Sequence, residues 1–235
     1  MIKKDASPVA RRSFLSRLGL GMTALGATLG PSAAGAQTAA ATPRWQPGRH
    51  AQDDWFDHVP GQHRFVFDTT QFEGFGGALL YANNFFLANQ NGYGLGNADL
   101  AVVLVLRHNS TVFAFNDAIW AKYGEPMSER NSLKDPVTKK APTVNIFNAA
   151  ALVGQLPSLG TTLDSLLKRG VHLAVCDMAT HRVSNAIAQA TKGSADAIYK
   201  ELTSNLLANS HIVPAGIVAV NRAQERGYTF ANVGV

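Results

Sequence analysis

The stretch Ala101-Val102-Val103-Leu104-Val105-Leu106 decides the fold class. Six consecutive apolar residues, rich in β-branched side chains, leave no polar face to turn toward water. A strand of this kind has to be covered on both sides, as the central strands of parallel sheets are. Working outward, Val171-His172-Leu173-Ala174-Val175 is a second buried strand, Arg64-Phe65-Val66-Phe67-Asp68 a short β run before it, and His211-Ile212-Val213-Pro214 and Tyr228-Thr229-Phe230 short β pieces after it. Helical spacing occupies the intervals: 77–91, 111–123 ended by Gly124 with Pro126 beyond, 149–156, 162–168 closed by Gly170, 182–207 with a break near Lys192-Gly193, and 215–226 ended by Gly227. Residues 125–143 are polar, hold three prolines and read as a surface excursion. Strands alternating with helices predict an α/β domain with a mostly parallel sheet flanked by helices on both faces.

Composition agrees with a globular domain: 235 residues, 46% of them hydrophobic, with a net charge of +5. The charge is unevenly placed. Residues 1–36 carry Lys3, Lys4, Arg11, Arg12 and Arg17 against Asp5 alone, so four of the five surplus charges lie there and the remainder has a surplus of one. Nucleic-acid binding, which needs clustered cations, is not expected.

Those first 36 residues have the three zones of an export signal: charges up to Arg17, a Gly/Ala/Leu stretch over 18–30, and Ala34-Gly35-Ala36 as an A-x-A cleavage site. Ala10-Arg11-Arg12-Ser13-Phe14-Leu15 resembles the twin-arginine motif, with Ala10 and Ser16 departing from it. A general secretory signal with a chance arginine pair is the alternative. Either route predicts a periplasmic protein cleaved after Ala36, with no stable membrane anchor, because the apolar zone is too short to span a bilayer. Residues 37–63, rich in Pro, Gly and polar residues around Trp45 and Trp55, read as a linker or an arm packing on the domain. Residues 64–235 make the domain itself.

Open parallel sheets place their chemistry beyond the carboxyl ends of strands, so 68–77, 107–111 and 176–182 are the windows to inspect. The single cysteine, Cys176, falls in one of them, between a strand and a helix. There a thiol meets the positive end of the helix dipole, which favours thiolate. His181 and Arg182 follow within six residues and are the candidate thiolate stabilisers; the competing reading makes Cys176 a small buried hydrophobe and both neighbours solvated. Gly74-Phe75-Gly76-Gly77 opens a helix after the first strand, yet Leu79 stands where a dinucleotide fingerprint needs glycine. No P-loop and no G-x-S-x-G serine elbow occurs. Of the seven histidines, His50, His58 and His63 lie in the arm; Cys176, Met178 and His181 have soft-ligand chemistry but lack close Cys/His spacing, so neither metal nor cofactor is expected, with copper or haem the alternative.

Three segments carry a family resemblance: Val102-Val103-Leu104-Val105-Leu106-Arg107-His108-Asn109; the run from Lys168 to Met178, in which Gly170-Val171 leads an apolar strand into Cys176; and Val213-Pro214-Ala215-Gly216 through Gln224-Glu225-Arg226-Gly227-Tyr228. Together they resemble the DsrE/DsrF-like family of sulfur-relay proteins over about residues 64–235. The resemblance implies a flavodoxin-like single domain, homo- or hetero-oligomers, and a strand-end cysteine that carries sulfane sulfur as a persulfide, the position matched by Cys176. It implies a sulfur carrier or sulfurtransferase, with a sulfur donor or acceptor protein as partner. Asp177 departs from the Gly frequent after that cysteine, residues 125–143 and 184–208 look like added length, and the family's relay partners are cytoplasmic whereas this chain bears an export signal. The rival reading is a non-catalytic module that binds a small ligand or a partner in a crevice near Asn109 and Cys176; a second rival is a structural subunit that keeps only the fold.

Overall fold

The computed structural model describes residues 45–234. The export signal with its arginine pair, the cleavage after Ala36 and the start of the arm at 37–44 lie outside the described residues. Five strands, β1 (His63–Thr69), β2 (Leu100–Leu106), β3 (His172–Cys176), β4 (Ser210–Val213) and β5 (Thr229–Val233), form one all-parallel sheet in the order β4-β3-β2-β1-β5. This is the flavodoxin-like α/β layering expected, although flavodoxin itself orders its strands 2-1-3-4-5. β2 is buried at all seven positions, which is why its sequence shows no alternation.

Among the described residues seven α-helices connect and cover the strands: α1 (Trp55–His58), α2 (Phe72–Tyr93), α3 (Asp117–Asn131), α4 (Leu163–Lys168), α5 (Asp177–Thr191), α6 (Ala195–Thr203) and α7 (Gly216–Gln224). The chain steps from β1 to β4 in one direction, and α2 to α6 bury the larger face of the sheet, around Leu104, Leu106, Leu173 and Val175. From β4 it returns across the whole sheet through α7 to reach the far side of β1. Among the described residues, α7 and the arm are what covers the side chains of the second face, Val66, Val103, Val105 and Ala174. Phe56 and Val59 of the arm are fully buried there, and the Tyr228 hydroxyl donates to the Phe56 carbonyl at 2.7 Å. Arg226, its side chain inaccessible, reaches Asp57 at 3.3 Å and Asp54 at 3.7 Å. Beside them Trp55 stacks on His211 at 3.9 Å, and His211 Nε2 lies 2.9 Å from His172 Nδ1. Burial, and then the neighbouring His172, push the pKa of His211 down to about 4.

Several local readings need correcting; 149–156, expected to be helical, holds only the 3₁₀ turn Ala150–Leu152. The helix expected to stop at Gly124 continues through Pro126 to Asn131 and ends at Ser132, which takes the left-handed conformation. Gly124 instead admits the chain crossing at Pro142, whose carbonyl oxygen would stand only 2.0 Å from an added Cβ. Likewise α2 begins at Phe72, so Gly74 and Gly76 are buried inside it, packed against the end of β5 and against Phe147 and Pro157. Packing of the helix, not an approaching phosphate, accounts for the glycines. The long helical interval after Cys176 is two helices, α5 and α6, divided where Lys192 adopts positive φ and Ser194 caps α6. Among the described residues no helix is long and apolar enough to cross a membrane.

Candidate functional site

The carboxyl ends of β1, β2 and β3 bring Asp68, Arg107 and Cys176 to one edge of the sheet, Asp68 standing level with Val105, two residues before Arg107. Asp68 is only 1% exposed and accepts two hydrogen bonds from Arg107, from Nε at 2.7 Å and Nη2 at 2.8 Å. Asn232 of β5 donates a third, from Nδ2, at 2.9 Å. A bidentate pair of this kind fixes the plane of the guanidinium as well as its position. The hydrogen bond to Asp68 raises the Arg107 pKa above its ordinary value, partial burial opposes this, and the charges of Asp68 and of a Cys176 thiolate act in the raising direction.

The turn that carries Arg107 is held from beneath. Ser110 Oγ donates to the Thr69 carbonyl, accepts from the Arg107 amide, and receives the Thr69 hydroxyl at 3.0 Å. Over this buried network His108 takes φ +55, the left-handed conformation, uncommon for a side-chain-bearing residue.

Cys176 is the N-cap of α5, with 6% of its surface exposed, and its carbonyl accepts from Thr180 Oγ1 at 3.0 Å. It lines a cleft of about 120 Å³ together with Arg107 and His108 from the β2 turn, Met178 and Arg182 from α5, and Gly216 and Ile217 at the start of α7. Gly216 is required by this arrangement. A Cβ there would lie 2.7 Å from Arg107 Cβ and 2.9 Å from its Cδ, so the arginine crosses directly over the glycine backbone. The N-termini of α5 and α7 and two arginines, Arg107 and Arg182, thus line the cleft that Cys176 lines, an environment that favours anions.

Of the two residues proposed from sequence to stabilise a thiolate, Arg182 shares the cleft with Cys176 and His181 does not. The His181 ring stacks on Tyr199 at 4.0 Å and 2° between planes, with Nε2 3.7 Å from Asp177 Oδ2. The Tyr199 hydroxyl donates to Asp177 Oδ1 at 2.5 Å, and burial together with that carboxylate pushes the tyrosine pKa up to about 12. This trio ties α6 to the start of α5. Arg107, His108, Gly216 and Ile217 were not singled out from sequence, although the window 107–111 contains the first two; their signal was position after a strand, which names a region but not a partner.

A second recess, of about 240 Å³, opens beside β1 and β2 among Gln71, Phe72, Asn109, Phe113 and Lys134. Asn109 Nδ2 donates to Gln71 Oε1 across it at 2.8 Å. The crevice expected near both Asn109 and Cys176 is thus two recesses, with the adjacent residues His108 and Asn109 lining different ones. Among the described residues no three His, Cys, Asp or Glu side chains gather as a metal site would need. No family model matches the chain, and a search of curated proteins finds no significant match.

Proposed function

We propose that the chain is an exported, periplasmic DsrE-like sulfur carrier or sulfurtransferase in which Cys176 accepts sulfane sulfur. The observation that carries this reading is the shared cleft: a strand-end sulfur at a helix N-terminus, flanked by Arg107 locked onto Asp68 and by Arg182. The Cys176 thiolate attacks the outer sulfur of an anionic persulfide or polysulfide. A new S–S bond forms, the donor S–S bond breaks, and the donor leaves as a thiolate, so no external oxidant or reductant enters. The arginines compensate the negative charge shared between the two sulfurs during the exchange. The absence of a second cysteine removes an intramolecular thiol that would discharge the persulfide as a disulfide. Polysulfide treatment of the folded protein should add about 32 Da, one sulfur, to the peptide that contains Cys176. Absence of that adduct, together with failure of thiol reagents to label Cys176 before unfolding, would overturn the proposal.

The larger recess at Gln71, Asn109 and Phe113 supports a second reading, a non-catalytic module that binds a small ligand there. Full sulfur loading of Cys176 by a chain whose Asn109 is replaced by Leu, with no ligand retained by the wild type, would dismiss it.

A further inference from the structure

Given the role proposed for Cys176 above, on which this rests, we infer that its sulfur donor is a small oxyanion carrying sulfane sulfur. Thiosulfate is the simplest member of that class, and the cleft favours it over a persulfide carried by glutathione or by a protein.

The topology places the cleft where a small ligand is expected. Cys176 and Val213 stand opposite each other where β3 pairs with β4. From β3 the chain turns to the larger face of the sheet, where Val183 and Ile187 of α5 are buried. From β4 it turns to the second face, where Ala219, Val220 and Ala223 of α7 are buried. Neighbouring strands whose continuations part to opposite faces leave a crevice beyond their carboxyl ends, the usual ligand position in open α/β sheets. Cys176 lines that crevice from the β3 side, and Ala215 and Gly216 from the β4 side.

Size and charge narrow the ligand. At about 120 Å³ the cleft is well below the roughly 300–1,000 Å³ of pockets that enclose drug-sized organic molecules. An ion of a few atoms can enter it whole, whereas a tripeptide persulfide cannot. Among the described residues Arg107, His108 and Arg182 line it and no carboxylate does. The nearby acids are turned elsewhere, Asp68 to Arg107 and Asn232, and Asp177 to Tyr199. Asp68 balances Arg107, while among the described residues no carboxylate balances Arg182. Met178, Ala179 and Ile217 add an apolar part. Thiosulfate has the same two halves. Its oxygens accept charge-assisted hydrogen bonds from guanidinium groups, and its terminal sulfur is soft and polarisable, suited to a thioether and aliphatic wall.

The Cys176 thiolate attacks the sulfane sulfur of thiosulfate. A bond from Sγ to that sulfur forms, the S–S bond of thiosulfate breaks, and its electron pair leaves with sulfite. Cys176 is left as a persulfide anion, the three negative charges are conserved, and no oxidant or reductant enters. A thiolate and a dianion repel one another in water, which is the repulsion that a cation-lined cleft offsets.

The purified protein and a synthetic peptide spanning Cys176 are each treated with thiosulfate, inorganic polysulfide or glutathione persulfide, and sulfur loading is followed by mass. Thiosulfate should add about 32 Da to the protein with one sulfite released per sulfur bound. The folded protein should outpace the peptide with thiosulfate and lag behind it with glutathione persulfide. Sulfate should slow the thiosulfate reaction more than sodium chloride at equal ionic strength. Arg182→Ala, at an exposed position, should slow it by about tenfold or more, and Arg182→Lys by less. Loading by polysulfide or glutathione persulfide but not by thiosulfate would overturn the inference and leave the carrier reading standing; loading by none of the three would overturn that reading as well. Thiosulfate loading no faster than in the peptide, or indifferent to sulfate and to Arg182→Ala, would also overturn the inference.

Discussion

Arg107 and Asp68, at the carboxyl ends of neighbouring strands, form a two-pronged ion pair whose carboxylate is almost wholly buried and whose guanidinium reaches the cleft of Cys176. The pair is thus both a structural joint and one wall of the site. Removing one member leaves the other charged and poorly solvated, which costs more than the pair contributes. Arg107→Met should lower unfolding free energy by about 3 kcal/mol, Asp68→Asn by somewhat less because the arginine side chain retains partial access to solvent, and the double variant by less than the two added together. Urea unfolding of the four proteins measures the coupling. Additive losses would show that the contact does not act as a unit.

Gly216 tests the site more locally. An added methyl group would press on Arg107 Cβ, an atom close to the backbone that cannot swing aside as a side-chain tip can. Gly216→Ala should cost about 1–3 kcal/mol through overpacking and slow sulfur loading of Cys176, as the guanidinium is moved off its position. Loading at the wild-type rate in a stable Gly216→Ala protein would mean that the position of Arg107 does not matter to the thiol.

How far the sequence can be read depends on the kind of interaction involved. β2 was legible because burial on both faces imposes a continuous apolar run, and Cys176 was legible because a strand followed by a helix places the intervening residue at the sheet edge. The continuation of α3 through Pro126 was not, since Gly124, which reads as a stop, is instead where the chain at Pro142, eighteen positions later, passes close to the helix, a contact that local spacing does not encode. Arg107 was within the right window but its partner Asp68 is 39 positions away, and side-chain pairing at that separation appears only once β1 and β2 are in register. His181 is the converse case. Closeness in sequence suggested that it serves Cys176, whereas helical geometry turns it toward Tyr199.

The histidine pair behind Trp55 makes stability sensitive to acid. Both His172 and His211 have pKa values lowered by burial, and that of His211 falls from an ordinary 6.5 to about 4. A base whose pKa is lower when folded binds more protons when unfolded, so its neutral form supports the fold above pH 6.5 and that support is lost as pH falls toward 4. Urea midpoints measured between pH 7.5 and about 4 should decline, and His211→Gln should flatten part of the decline across that window. Trp55 fluorescence in the folded protein, read through its stack on His211, should change as that ring protonates near pH 4. An unaltered slope in His211→Gln would assign the acid sensitivity to carboxylates elsewhere.

The cleft distinguishes Arg182 from His181 in a way that two alkylating reagents can read. The same thiolate attacks iodoacetate and iodoacetamide with similar geometry, displacing iodide from each, but only the first is an anion drawn by neighbouring positive charge. Arg182 borders the cleft beside Cys176, while His181 lies on the Tyr199 side of α5. Arg182→Ala should therefore lower the ratio of iodoacetate to iodoacetamide rates at Cys176 severalfold, and the wild-type ratio should fall with added salt as screening removes the attraction. His181→Ala should leave the ratio unchanged, although it loosens the contact between α5 and α6. Because the ratio cancels changes in general accessibility, a partly loosened helix does not imitate the effect. A ratio that responds to His181→Ala and not to Arg182→Ala would reverse the assignment, and one that responds to neither and not to salt would remove cationic guidance from the proposed sulfur transfer.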